Sequence, residues 1–117
     1  MRYMTIYKTV ETDEPPKQED YEKMGRFIQE LARQGVLVVT DGLQHTSHGA
    51  RVRVQNGTFT VTDGPFTEAK EVVAGYAIID VKSKDQAIEL TKRFLSLMGK
   101  GESEVRLMPD QPAYQRA

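Results

Sequence analysis

Val72-Val73-Ala74-Gly75-Tyr76-Ala77-Ile78-Ile79-Asp80-Val81, followed after Lys82 by Ser83-Lys84-Asp85-Gln86, is the stretch that decides the fold. Its first ten residues alternate. Ala74, Tyr76, Ile78 and Asp80 fall on one side, and Val73, Gly75, Ala77, Ile79 and Val81 on the other, the period of two of a long strand. Ser83 and Gln86 then have the spacing of a capping box, in which a hydroxyl and an amide satisfy the first orphan backbone donors of a helix. Ala87, Ile88, Thr91, Leu95 and Met98 carry that helix's apolar stripe, with Phe94 beside it, and Gly99 and Gly101 end it. Glu104 to Met108 is a short final strand. A strand, a helix and a strand thus close the C-terminal half.

Toward the N-terminus the same order recurs without any sequence repeat. Residues from Tyr3 to about Thr9 alternate Tyr and Thr against Met, Ile and Lys, a pattern rich in strand formers. Acids and two prolines between Glu11 and Pro16 break it. Lys17 to Gln34 reads as a helix, with Tyr21, Met24, Ile28 and Leu31 in an i, i+3, i+7 stripe widened by Phe27 and Ala32, and Gly35 stops it. Val36 to Thr40 is a short buried-strand run ending at Asp41-Gly42. Leu43 to Ala50 is polar and loop-like. Arg51–Val54 and Thr58–Thr62 are short strands joined by Gln55-Asn56-Gly57, and Asn-Gly is the strongest short hairpin signal because both residues tolerate positive φ. Two βαβ-type halves around one sheet predict an α+β, ferredoxin-like βαββαβ fold with an inserted β-hairpin. One domain is expected over residues 1–108, with 109–117 as a loose tail.

Composition narrows the function classes. The chain has 117 residues, 38% of them apolar and 28% charged, which suits a folded domain with one modest core. Sixteen basic and seventeen acidic residues give a net charge of −1, so nothing electrostatic points to nucleic acid or an anionic membrane. No cysteine is present, which removes disulfides, thiolate metal sites and cysteine nucleophiles together. The first residues lack the apolar core of a signal peptide, and no apolar run approaches the roughly 20 residues that cross a bilayer. A cytoplasmic location is the expectation. One face of the sheet is expected to stay open and fairly apolar, so a homodimer that covers it is the expected partner state.

Between the hairpin and the long strand lies Asp63-Gly64-Pro65-Phe66-Thr67-Glu68-Ala69-Lys70-Glu71. Ordinary hairpin connections need two to five residues of turn chemistry, whereas this one packs four ionisable side chains, a Gly-Pro turn and a ring into nine. With Gly75-Tyr76 downstream, it resembles the signature of the YCII-related family, in the branch known by the motif DGPF (DGPFAETKE). Gly42-Leu43, the Arg51-Val52-Arg53 strand, Ser83, Ala87 and Glu104-Val105-Arg106 resemble the family's flanking segments. Three departures stand out: Ala74-Gly75 in place of Gly-Gly, Leu107 in place of a proline, and His45-Thr46-Ser47-His48 in a loop where prolines are common. The resemblance implies a ferredoxin-like subunit of the dimeric α/β-barrel type. It implies no established reaction; some members occur beside or fused to sigma factors.

The residues themselves suggest two site readings. In the first, Gly64-Pro65 makes a turn, Phe66 plugs the core and Asp63 accepts from backbone amides two or three residues ahead. In the second, paired carboxylates drive acid/base chemistry by pushing their affinities for a proton apart. The candidate catalytic residues are then Asp63, His45, Glu68 and Glu71, with Lys70, Arg51, Arg53, Arg106 and Tyr76 as candidate substrate-binding residues. Arg51 and Arg53 share a strand face, so they act together or not at all. His45-x-x-His48 could give two imidazoles to a divalent ion, with Asp41 or Asp63 completing the set, but the reading adopted is no metal and no organic cofactor. The expected function is therefore an acid/base enzyme of isomerase, lyase or hydrolase type, or a ligand-binding protein, for a small polar or anionic molecule. The alternative is a non-catalytic regulatory or interaction module linked to sigma-factor systems.

Overall fold

The computed structural model describes residues 1–110. Its elements run β1 (Arg2–Thr9), α1 (Gln18–Arg33), β2 (Leu37–Gly42), β3 (Ala50–Gln55), β4 (Thr58–Asp63), β5 (Val72–Asp80), α2 (Lys84–Met98) and β6 (Glu102–Leu107). The main sheet has the order β2-β5-β1-β6, and every neighbouring pair in it is antiparallel. This is the ferredoxin-like α+β arrangement that the two βαβ halves predict. The hairpin β3–β4 forms a separate two-stranded sheet inserted between β2 and β5. Its turn places Asn56 at φ 52 and Gly57 at φ 78, the conformation for which Asn-Gly is selected.

Both helices end as the glycines dictate. The N–H of Val36 donates to Leu31 O and that of Gly35 to Ala32 O, with Gly35 at φ 71, the paired bonds of a Schellman stop. Val36 therefore belongs to the helix terminus, packed in the core with Leu31, and β2 starts one residue later than the apolar run suggests. At the other end β2 continues through Asp41-Gly42 to pair with Tyr76 and Gly75. The Ser83 hydroxyl accepts from the Gln86 N–H at 3.1 Å, while Gln86 Oε1 accepts from the Lys82 N–H at 2.9 Å. The cap is thus shifted by one residue from an ideal capping box. Pro109 and Asp110 are exposed, and the rest of the expected tail lies outside the described residues.

The core sits between the helices and one face of the sheet. Tyr3, Phe27, Leu31, Val36, Ile79, Val81 and Ala87 form it, with Met24, Leu37, Leu90, Phe94 and Val105 packed against them. Tyr7 meets Phe94 edge-on at 5.1 Å and donates its hydroxyl to Lys100 O. Because side chains alternate along a strand, the opposite face carries Met4, Ile6, Tyr76 and Ile78, all half-buried. At the β6 edge of that face, Lys8 pairs with Glu104, which Arg106 also contacts at 3.2 Å. No helix of the described residues is long and apolar enough to cross a membrane.

Candidate functional site

Where β1, β2 and β5 end together, three loops meet. The chain leaving β1 brings Glu11 and Asp13, the connection after β2 makes a single 3-10 turn at Thr46–His48, and the Asp63–Glu71 run returns from the hairpin to β5. Thr46 ties all three. Its N–H and hydroxyl donate to the two oxygens of Glu11 at 2.6 and 2.7 Å, and the same hydroxyl accepts from the Phe66 N–H at 2.9 Å. Gly64 N–H donates to Gly49 O at 2.9 Å. The amides at 64 and 66 are thus satisfied across the loop, not by the Asp63 side chain. These two donors hold the motif against the 3-10 turn.

His45 caps that turn. Its Nδ1 accepts from the Ser47 N–H at 3.1 Å and lies 3.0 Å from Ser47 Oγ. A backbone N–H can only donate, so the neutral ring carries its proton on Nε2. That proton faces Asp13 at 3.2 Å and Glu11 at 3.6 Å. Both ring nitrogens are therefore engaged within the chain. The Thr46 hydroxyl, followed by the Thr46 N–H and His45, holds the Glu11 carboxyl below its ordinary value. Because Glu11 has a depressed folded value, its contribution is complete above the unfolded value near 4.5 and is lost as pH falls through the folded one. Lowering the pH below about 4.5 should loosen the tie, read as coupled shifts of the Thr46 and Phe66 amide resonances. Glu11→Gln should abolish that titration and leave both amides at their loosened positions at every pH. Wild-type amides that stay unchanged down to the acid limit of the native state would contradict the tie.

On the hairpin side, the Arg51 guanidinium lies over the Phe66 ring at 3.9 Å and pairs with Glu68. Cation–π contact and ion pair together orient the planar guanidinium. Glu68's own backbone N–H, and then Arg51, lower its carboxyl value, although Glu68 remains 68% exposed. Beside these groups opens a cleft of about 530 Å³, lined by residues 43–46 and 48–51, by Phe66 and by residues 71–73. Leu43 and Val73 give it apolar surface, and His48, Arg51 and Glu71 give it charge or a titratable nitrogen.

Among the residues singled out in the sequence, His45, His48, Arg51 and Glu71 line this cleft. Glu68 stands behind Arg51 as its counter-charge. Asp63 ends β4 opposite Ala50, exposed, and Lys70 is exposed on the return loop. Arg53 points from the same hairpin face as Arg51 but farther out. Tyr76 lies on the open sheet face between Ile6 and Asp41. Arg106 is at the β6 edge opposite Met4, four residues along its strand from the end nearest the cleft. Glu11, Asp13 and Thr46 were not singled out, because no local spacing links positions 35 residues apart. Phe66 joins the cleft wall instead of the core cluster. Among the described residues no group of three or more His, Asp or Glu side chains is arranged to hold a metal ion.

The family model described as the YCII-related domain matches residues 1–109. Among curated proteins, none matches the chain.

Proposed function

The chain belongs to the YCII-related domain family, and from that premise we propose that it binds a small polar or anionic molecule in the cleft and exchanges a proton with it. The Asp63–Glu71 run supports placing it in the DGPF branch. The single observation that carries the reading is the cleft wall itself: a guanidinium placed over the Phe66 ring, with Glu71 and His48 lining the same space. Arg51 offers two parallel N–H donors to a carboxylate or phosphate. Glu71 is the carboxylate placed to move a proton, and His48 brings an imidazole to the same space for the opposite step. His45, bonded at both nitrogens, is assigned a positioning role, and Asp63 acts through the backbone it ends. The reading needs neither an organic cofactor nor a metal. The chain is read as a cytoplasmic homodimer, its cysteine-free composition suiting a reducing compartment and its open sheet face suiting a second subunit.

A thermal-shift screen against small carboxylates, phosphate and hydroxy acids tests this directly, since a ligand at about 100 times its Kd stabilises the native state by about 2.7 kcal/mol. At least one class should raise the melting temperature, and Arg51→Ala and Glu71→Gln should each remove that rise while the unliganded variants stay folded. A screen with no shift, or a shift that both variants keep, overturns the reading. The alternative, a non-catalytic regulatory or interaction module, draws on the exposure of Glu68 and Lys70. It predicts no ligand-dependent shift at all.

A further inference from the structure

Of the carboxylates carried by the loops that meet at this corner, only that of Glu71 lines the cleft. Others are taken up inside the chain. The N–H and hydroxyl of Thr46 bind Glu11, Asp13 faces His45 Nε2 at 3.2 Å, and Glu68 pairs with Arg51. Glu71 is half-buried beside Val72 and Val73. Lys8 lies within its electrostatic reach but is bound by Glu104, the first of the groups that raise the Lys8 value, with Glu71 the last of them. A carboxylate partly withdrawn from water beside apolar side chains favours a cationic or hydrogen-bonding partner.

Arg51 brings positive charge to the same cleft, although Glu68 already balances it. The guanidinium N–H groups not spent on Glu68 can still make directional bonds to a carboxylate. An anion that reaches them enters a space where one cation stands with two carboxylates, and like charges brought together oppose binding. Adding an ammonium to that anion turns the repulsion from Glu71 into an ion pair. An amine alone would leave the Arg51 donors unused and face a guanidinium. A bare metal ion fits less well, since no group of three or more His, Asp or Glu side chains among the described residues is arranged to hold one.

The rest of the lining is apolar. Leu43 and Val73 are both exposed where they border the cleft, so an apolar group of a ligand gains by covering them. The cleft volume of about 530 Å³ falls within the roughly 300–1,000 Å³ of small-molecule sites.

We infer that the cleft is a site for a zwitterion: a small amino acid whose carboxylate is held by Arg51, whose ammonium pairs with Glu71 and whose apolar part lies on Leu43 and Val73. The inference rests on the ligand reading above and narrows it, and it is independent of the homodimer reading. An ammonium on Glu71 also sets a proton against the carboxylate assigned to move one.

Isothermal titration calorimetry on the full chain separates the two charges. Leucine, isocaproate and isoamylamine share one branched apolar body; isocaproate lacks the ammonium and isoamylamine the carboxylate. ε-Aminocaproate keeps both charges but sets them farther apart. At least one of the two amino acids should bind, and isocaproate and isoamylamine should each bind at least about tenfold more weakly than it does, the worth of one charge-assisted contact. Glu71→Gln should abolish the preference over isocaproate, and Arg51→Ala the preference over isoamylamine, with unchanged circular dichroism spectra. Isocaproate binding as tightly as the better amino acid, or a folded Glu71→Gln that keeps the preference, overturns the zwitterion and leaves an anionic ligand standing. Isoamylamine binding as tightly, or a folded Arg51→Ala that keeps the preference, overturns the zwitterion together with the part given to Arg51. If neither amino acid binds, the inference falls alone when another screened anion raises the melting temperature, and falls with the ligand reading when none does. If a variant fails to fold, the ligand series on the wild type decides alone.

Discussion

Gly64→Ala is expected to lower stability by about 2–3 kcal/mol and the melting temperature by roughly 10–20 °C. The cause is backbone against backbone. A Cβ at position 64 would run into the carbonyl oxygen of Thr46 and lie 2.6 Å from its carbonyl carbon and 3.3 Å from Ser47 N. No side chain can rotate away to relieve this, so either the motif lifts off the 3-10 turn or the turn itself shifts. Lifting would also cost the Gly64–Gly49 and Phe66–Thr46 bonds, and with them the wall on which Arg51 rests. Gly25→Ala is the matching control. Nothing lies within 4 Å of a Cβ at that position, and it is inside α1, so helix propensity predicts a gain of roughly 0.5–1 kcal/mol. Melting curves of the two variants should therefore move in opposite directions. A Gly64→Ala curve superimposable on wild type would mean that the close approach of residues 46 and 64 is not present in solution.

Ile79→Ala should cost about 3–4 kcal/mol. Ile79 is 3% exposed, lies opposite Tyr3 on β1 and Leu37 on β2, and belongs to the core cluster under the helices. Deleting its methyl groups removes buried apolar area and leaves a cavity between elements that cannot close around it. For a domain whose whole stability is roughly 5–15 kcal/mol, that is a large share, visible as a lower midpoint in urea with little change of slope. Ile78→Ala, one residue away on the opposite face, should cost much less at concentrations where the chain is monomeric. Equal losses for the two variants under those conditions would show that the helices do not single out the face carrying Ile79.

Most of the fold was legible because its signals are local. Period-two alternation located β5, the Asn-Gly pair located the hairpin turn, and Ser83 with Gly99 bounded α2 almost to the residue. The discrepancies have one physical source. Val36 is apolar for the helix stop as much as for a strand, and Asp41-Gly42 carries turn residues yet is held in β2 by Tyr76 and Gly75. In each case a tertiary contact decides between two local options. The site was less legible for the same reason. The density of charge in Asp63–Glu71 drew attention to the right loop, and Arg51 and Glu71 do line the cleft. The group that fastens this corner, Glu11, lay in a segment that reads only as a strand breaker. Nothing in its neighbours announces Thr46. Alternation showed that Arg51 and Arg53 share a face, but only the return path of the chain determines that Arg51 alone reaches Phe66.

The order of the sheet has a consequence for how the chain is made. β1 precedes β2 to β6 along the chain, yet its neighbours are β5 and β6, which follow the other strands of the sheet, and β2 likewise waits for β5. Until residue 80 has been added, a nascent chain holds Tyr3, Ile6 and Val39 with no strand to pair beside. The hairpin is the one ladder that can close earlier, since its pairs span at most the 14 residues from Ala50 to Asp63 and local contacts form fastest. Synthesis therefore allows the hairpin to close before the main sheet does. The central strand β5 converts a string of waiting segments into a domain in a single late step, with β6 closing the edge behind it.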